Sequence, residues 1–123
     1  MKQIFFLATL SLLGFMLSAQ TAITTYNQTG VLDATYYTSG SFTERITYFE
    51  NGEIKEIASF VNLKPEGEWL TFNEVGEIIQ RGKYENGRKT GEWFVSCEIS
   101  KQLFKLTYES DERIAATEFT RTD

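Results

Sequence analysis

The sequence predicts an all-β chain: an elongated antiparallel meander of about eight or nine strands, made of stacked β-hairpins with a period of about 24 residues. Three observations predict it. Gly67-Glu68-Trp69 returns 24 residues later as Gly91-Glu92-Trp93, and the same offset carries Gly52 to Gly76, Ile54 to Ile78, Phe60 to Tyr84 and Asn62 to Asn86. A fixed period in this range marks a repeat architecture. Turn residues punctuate the chain at short intervals, with Asn-Gly at 51–52 and 86–87, the strongest short hairpin signal. No segment beyond residue 19 sustains a helical period.

The elements follow in order. Residues 1–19 read as a secretory signal peptide: Lys2, an apolar run from Ile4 to Leu17, then Ser18-Ala19, with cleavage expected after Ala19. The run is short for a bilayer, which needs about 20 apolar residues. No cysteine follows the cut to carry a lipid. Residues 20–123 then form one domain by length. Tyr26 to Gly30 and Val31 to Tyr37 resemble a shortened first unit, and Tyr37-Thr38-Ser39-Gly40 matches Tyr84-Glu85-Asn86-Gly87 in outline. Tyr48-Phe49-Glu50-Asn51-Gly52 is an aromatic pair and a turn, with Glu53 to Val61 as return strand. The only proline, Pro65, is placed in a longer turn, Lys64-Pro65-Glu66. Gly67 to Phe72 is a strand, Asn73-Glu74-Val75-Gly76 a turn and Glu77 to Tyr84 a strand. Glu85-Asn86-Gly87 turns the chain into a strand opening at Gly91. Leu103 to Tyr108 and Ile114 to Phe119 complete the meander, with degenerate units at the ends as capping requires.

Composition narrows the function. Without Lys2 the chain has 11 basic and 17 acidic residues, a net charge of −6. Such a surface repels nucleic acid and anionic lipid, and no membrane insertion is expected after cleavage. The single cysteine, Cys97, allows no internal disulfide and reads as a half-buried strand residue. Histidine is absent, which removes the commonest general base and metal ligand. No glycine-rich phosphate loop is present, so no cofactor is expected. Glu109, Asp111 and Glu112 lack the spacing of a calcium loop, and no metal site is assigned.

The repeated residues read as scaffold: Gly52, Gly67, Trp69, Phe72, Gly76, Tyr84, Gly87, Gly91 and Trp93. Ala58 and its repeat mate Gly82 are small enough to leave room for an indole on a neighbouring strand. Glu68 and Glu92 alternate away from the tryptophans and are expected in water, paired with Arg81, Lys83 or Arg88. No catalytic residue is assigned. Trp69, Trp93, Tyr84 and Tyr108 are the candidate binding surface, if their rings face outward.

Gly67-Glu68-Trp69-Leu70-Thr71-Phe72 with Gly76, then Gly82-Lys83-Tyr84-Glu85-Asn86-Gly87 through Gly91-Glu92-Trp93-Phe94, resembles the MORN-repeat variant of bacterial YwqK-type antitoxin-like proteins. The match runs from about Tyr48 to Val95, with faded copies beyond. It departs from the pattern at Phe72, where tyrosine is commoner, at Leu63, where Gly87 has glycine, and at Ser96. The resemblance implies stacked hairpins used as a scaffold or protein-binding surface; an export signal is at odds with meeting a cytoplasmic toxin. Similar short exported chains carry a nicotinate mononucleotide adenylyltransferase label, but that activity needs a His-x-Gly-His-type motif and a parallel nucleotide-binding fold, and neither is present here. The expected function is a non-enzymatic exported scaffold, periplasmic or extracellular, that binds another envelope protein or self-associates. Two alternatives stand beside it: a carbohydrate- or peptidoglycan-binding module using the aromatic rings, and a small enzyme using Cys97 or paired carboxylates.

Overall fold

The computed structural model describes residues 20–120; the expected signal peptide lies outside them. Nine strands form one antiparallel sheet in chain order: β1 (Thr21–Tyr26), β2 (Leu32–Ser39), β3 (Phe42–Tyr48), β4 (Ile54–Val61), β5 (Lys64–Phe72), β6 (Ile78–Glu85), β7 (Arg88–Ser96), β8 (Gln102–Glu109) and β9 (Glu112–Thr120). The all-β meander is as the sequence predicts. Every neighbour in sequence is a neighbour in space, so each hairpin can form locally before the next is added.

The two ends of the sheet differ. One carries two-residue turns at Gly40-Ser41, Asn62-Leu63, Asn86-Gly87 and Ser110-Asp111. Asn62 and Leu63 have φ of 49° and 65°, Asn86 and Gly87 of 51° and 80°, and Ser110 and Asp111 of 46° and 71°. Paired positive φ values are those of the type I′ turn, whose twist matches the strands it joins. At the other end, loops of about five residues close with a main-chain bond, as in Phe49 N to Glu53 O at 2.8 Å and Asn73 N to Glu77 O at 2.9 Å.

The period also ties turn to turn. Gly87 N donates to Pro65 O at 2.8 Å, and 24 residues on, Asp111 N donates to Lys89 O at 3.0 Å. The Asn86-Gly87 and Ser110-Asp111 turns are thus held by the preceding hairpin as well as by their own strands.

Two boundaries correct the sequence reading. Lys64-Pro65-Glu66 is not a turn: the turn is only Asn62-Leu63, and β5 begins at Lys64. Proline is rare inside a sheet because it cannot donate to the ladder. Here the register shifts between Ala58 and Phe60, leaving Glu66-Gly67-Glu68 opposite Ser59, and Pro65 sits at the start of that bulge. Gly67 takes φ +90°, and Ser59 Oγ donates to Glu66 O at 2.5 Å to close it. By the same device β7 begins at Arg88 rather than Gly91, with a register shift between Arg81 and Lys83.

The sheet is a single layer. Among the described residues only Ala34, Ile46, Ala58 and Trp93 are buried apolar side chains. Most domains bury one layer against another; here side chains of the sheet must cover one another.

Candidate functional site

Strand alternation sorts the side chains onto two faces. On the first, Ala58 pairs with Trp69, Trp69 with Gly82, and Trp93 with Leu106. A ladder of five rings crosses these strands. Phe60 meets Trp69 at 5.8 Å between centroids, Trp69 meets Tyr84 at 4.9 Å, Tyr84 meets Trp93 at 5.2 Å and Trp93 meets Tyr108 at 6.2 Å. Three of the four contacts are edge-to-face, the arrangement that the ring quadrupole favours.

Each end of the ladder is covered by a cation. Lys89 Nζ lies 4.8 Å from the Trp93 centroid and 5.1 Å from that of Tyr108. Arg45 lies over Phe60 at 5.0 Å and pairs with Glu56 at 2.8 Å. Glu56 uses its second oxygen to accept from Trp69 Nε1 at 3.1 Å. These cations shield ring faces. Sequence reasoning misses Arg45 and Glu56, because neither has a mate at the 24-residue offset; Glu56 could have been found two residues before Ala58, on the same face of β4.

The two tryptophans differ in depth. Trp93 is 1% exposed and its Nε1 donates to the Lys83 carbonyl at 3.2 Å. It lies flat over Gly82, where a Cβ would stand 1.9 Å from the ring. Trp69 is only half-buried, over Ala58, and turns its Nε1 to a side chain instead. Of the four residues expected on a binding surface, Trp93 is therefore withdrawn: its ring is closed on both sides. Trp69, Tyr84 and Tyr108 are half-buried in the ladder. Burial raises the Tyr84 phenol above its ordinary range, and the charges of Asp111 and Glu56 add to this, so it stays protonated near neutral pH.

The repeat glycines Gly52, Gly67, Gly76, Gly87 and Gly91 all adopt positive φ. Phe72 ends β5 half-buried, opposite Ile78. Glu68 and Glu92 project from the other face, pairing with Arg81 at 3.6 Å and Lys105 at 3.2 Å.

That second face carries a continuous row: Ile46, Ile57, Leu70, Arg81, Phe94, Lys105 and Thr117, each paired with the next. No ring ladder covers it. An open groove of about 380 Å³ lies near its middle, lined by Ile79, Phe94 and Leu103 with Arg81 and Ser96 at its rim. A second hollow, of about 520 Å³ at the tight-turn end, is polar and mixes Lys64 and Arg88 with Glu85.

Cys97 is in a loop rather than a strand, at the place that Asn73 holds one period earlier. Asn73 Oδ1 accepts from Val75 N and Glu77 N. At Cys97 the Ser100 hydroxyl, then the Ser100 and Ile99 amides, lower the thiol below its ordinary range. Asp111 is engaged structurally, accepting from Lys89 N at 2.7 Å. Among the described residues no group of three or more His, Cys, Asp or Glu side chains is placed to hold a metal ion.

No protein-family model matches the chain, and no curated protein matches it either. Two solved structures are similar in fold. One is a point mutant of S. aureus TarM in complex with fondaparinux, α-GlcNAc-glycerol and UDP, with a TM-score of 0.51 and 15% identity over 76% of this chain. The other is TarM itself, again with a TM-score of 0.51 and 15% identity, over 82% of this chain. The chain spans about a fifth of the TarM length, 20% and 21% in the two cases. At this identity the likeness concerns the sheet alone.

Proposed function

We propose that the chain is a non-enzymatic, exported β-repeat scaffold that holds another protein of the cell envelope or associates with itself. One observation carries the reading: among the described residues the sheet has no second layer, so Ile57, Leu70 and Phe94 are only half-buried and the groove between Ile79 and Leu103 stays open. Apolar surface of this kind favours association, because covering it removes it from water. The MORN-like repeat supports the same reading, since what recurs every 24 residues builds turns and packs rings. Export rests on the character of residues 1–19.

In-situ chemical cross-linking in the native envelope, followed by purification under denaturing conditions, tests it. The expected result is a reproducible protein adduct. Recovery of monomer alone across expression levels would count against the scaffold reading.

A further inference from the structure

The two edges of the sheet are not alike. Among the described residues β1 and β9 each have a single neighbouring strand. β9 carries Glu112, Arg113 and Glu118, and charges on an edge strand discourage pairing with another chain. β1 reads Thr-Ala-Ile-Thr-Thr-Tyr, with neither charge nor proline. Ile23 and Tyr26 stand 56% and 64% exposed on it.

The backbone geometry of this edge follows from its neighbours. Ser39 and Phe42 flank the two-residue Gly40-Ser41 turn, and such a turn closes on a hydrogen-bonded pair. Thr35, Tyr37 and Ser39 therefore direct their main-chain groups to β3, and Ala34, Tyr36 and Thr38 direct theirs to β1. Their partners there are Thr25, Ile23 and Thr21. The N–H and C=O groups of Ala22 and Thr24 consequently point away from the sheet.

We propose, building on the scaffold reading, that β1 pairs antiparallel with β1 of a second copy of this chain, with Ile23 opposite Ile23 of that copy. An antiparallel pair related by a two-fold axis places residues of the same strand face opposite each other. Centred on Ile23, Thr21 faces Thr25 and Ala22 faces Thr24, so the short segment is self-complementary. The outward groups of Ala22 and Thr24 meet those of Thr24 and Ala22, forming a closely bonded pair on each side of the centre. Ile23 and its counterpart fall at a non-hydrogen-bonded pair, where side chains approach most closely, and each covers the other. Electrostatics favour the same edge. Two copies of a chain with net charge −5 repel, and no charged residue lies between Lys2 and Asp33. The product is one sheet of 18 strands with a two-fold axis at its centre.

The test uses the full-length chain, expressed with export and purified in the form the cell yields, its N-terminus read by mass spectrometry. Sedimentation equilibrium is expected to give a dimer. Thr24→Pro removes an outward donor that β2 does not use, and Ile23→Lys sets two like charges face to face; each is expected to weaken the dimer by about tenfold or more with an unchanged far-ultraviolet spectrum. Hydrogen exchange is expected to show the Ala22 and Thr24 amides protected in the dimer and unprotected in Ile23→Lys. A wild-type chain that stays monomeric would overturn the pairing, as would a dimer indifferent to both substitutions or a monomer in which those two amides are already protected. A monomer that still cross-links to another envelope protein would overturn the β1 pairing and leave the scaffold reading standing; a monomer without adducts would remove both.

Discussion

The Trp93 indole lies on the α-carbon of Gly82, so close that a methyl group there would stand 1.9 Å from the ring. One period earlier the corresponding position is Ala58, and Trp69 rides higher. A single methyl group separates a ring that reaches a main-chain carbonyl from one that stops at a carboxylate. Gly82 does not have positive φ, so alanine there meets no backbone strain, only the ring. Gly82→Ala is expected to lift Trp93, destabilise the fold by about 2–3 kcal/mol and shift its fluorescence to the red. Thermal denaturation with emission spectra checks both.

The depth difference also separates the two tryptophans energetically. Removing a buried Trp costs about 3–5 kcal/mol, a large share of the stability of a domain this size. Trp93→Ala is expected near that figure and Trp69→Ala clearly below it. Denaturant unfolding of both variants measures the difference; equal losses would show that Trp69 is as structural as Trp93.

Leu63 holds the left-handed second position of its turn at φ 65° and is 91% exposed, where its repeat mate is Gly87. A non-glycine residue in this region is strained by about 1–2 kcal/mol, and glycine returns part of that gain through the entropy of the unfolded chain. Leu63→Gly is expected to stabilise by about 0.5–1 kcal/mol, read as a raised urea midpoint at constant slope.

Glu44 lies on the second face between Tyr37 and Ser59, and burial raises its carboxyl above the ordinary range. A carboxyl raised in the folded state favours folding while both states are protonated and loses that contribution as pH rises through the folded pKa. Glu44→Gln is therefore expected to be more stable than wild type at pH 7, with the difference shrinking toward pH 4 and below. Urea titrations at the two pH values check the sign.

The Cys97 thiol is lowered first by the Ser100 hydroxyl. Ser100→Ala is expected to move its titration upward, toward the ordinary thiol range. The pH dependence of iodoacetamide alkylation measures this, and an unchanged midpoint would show that the amides alone set it.

Much of this structure is legible in the sequence, for identifiable reasons. Gly67-Glu68-Trp69 and its echo give the period because each residue has one local role. The glycine turns the bulge, the glutamate faces water and the tryptophan fills the ladder. β1 and β3 are harder to single out, since neither carries that triplet and half of β1 is threonine. Pro65 misleads because proline is rare inside a strand, and the bulge that accommodates it here depends on Ser59 across the sheet. The burial of Trp93 is likewise hidden, because it is decided by a residue on the neighbouring strand. The Lys89 and Arg45 caps depend on the third dimension altogether.

The most direct test of the open-faced scaffold is site-specific photo-crosslinking in the native envelope. A photoreactive amino acid replaces Ile79 in the apolar groove, and Glu74 in an exposed loop serves as control. Protein adducts are expected from position 79 and far fewer from position 74. Adducts absent from position 79, or equally frequent at both, would contradict a partner seated on that face.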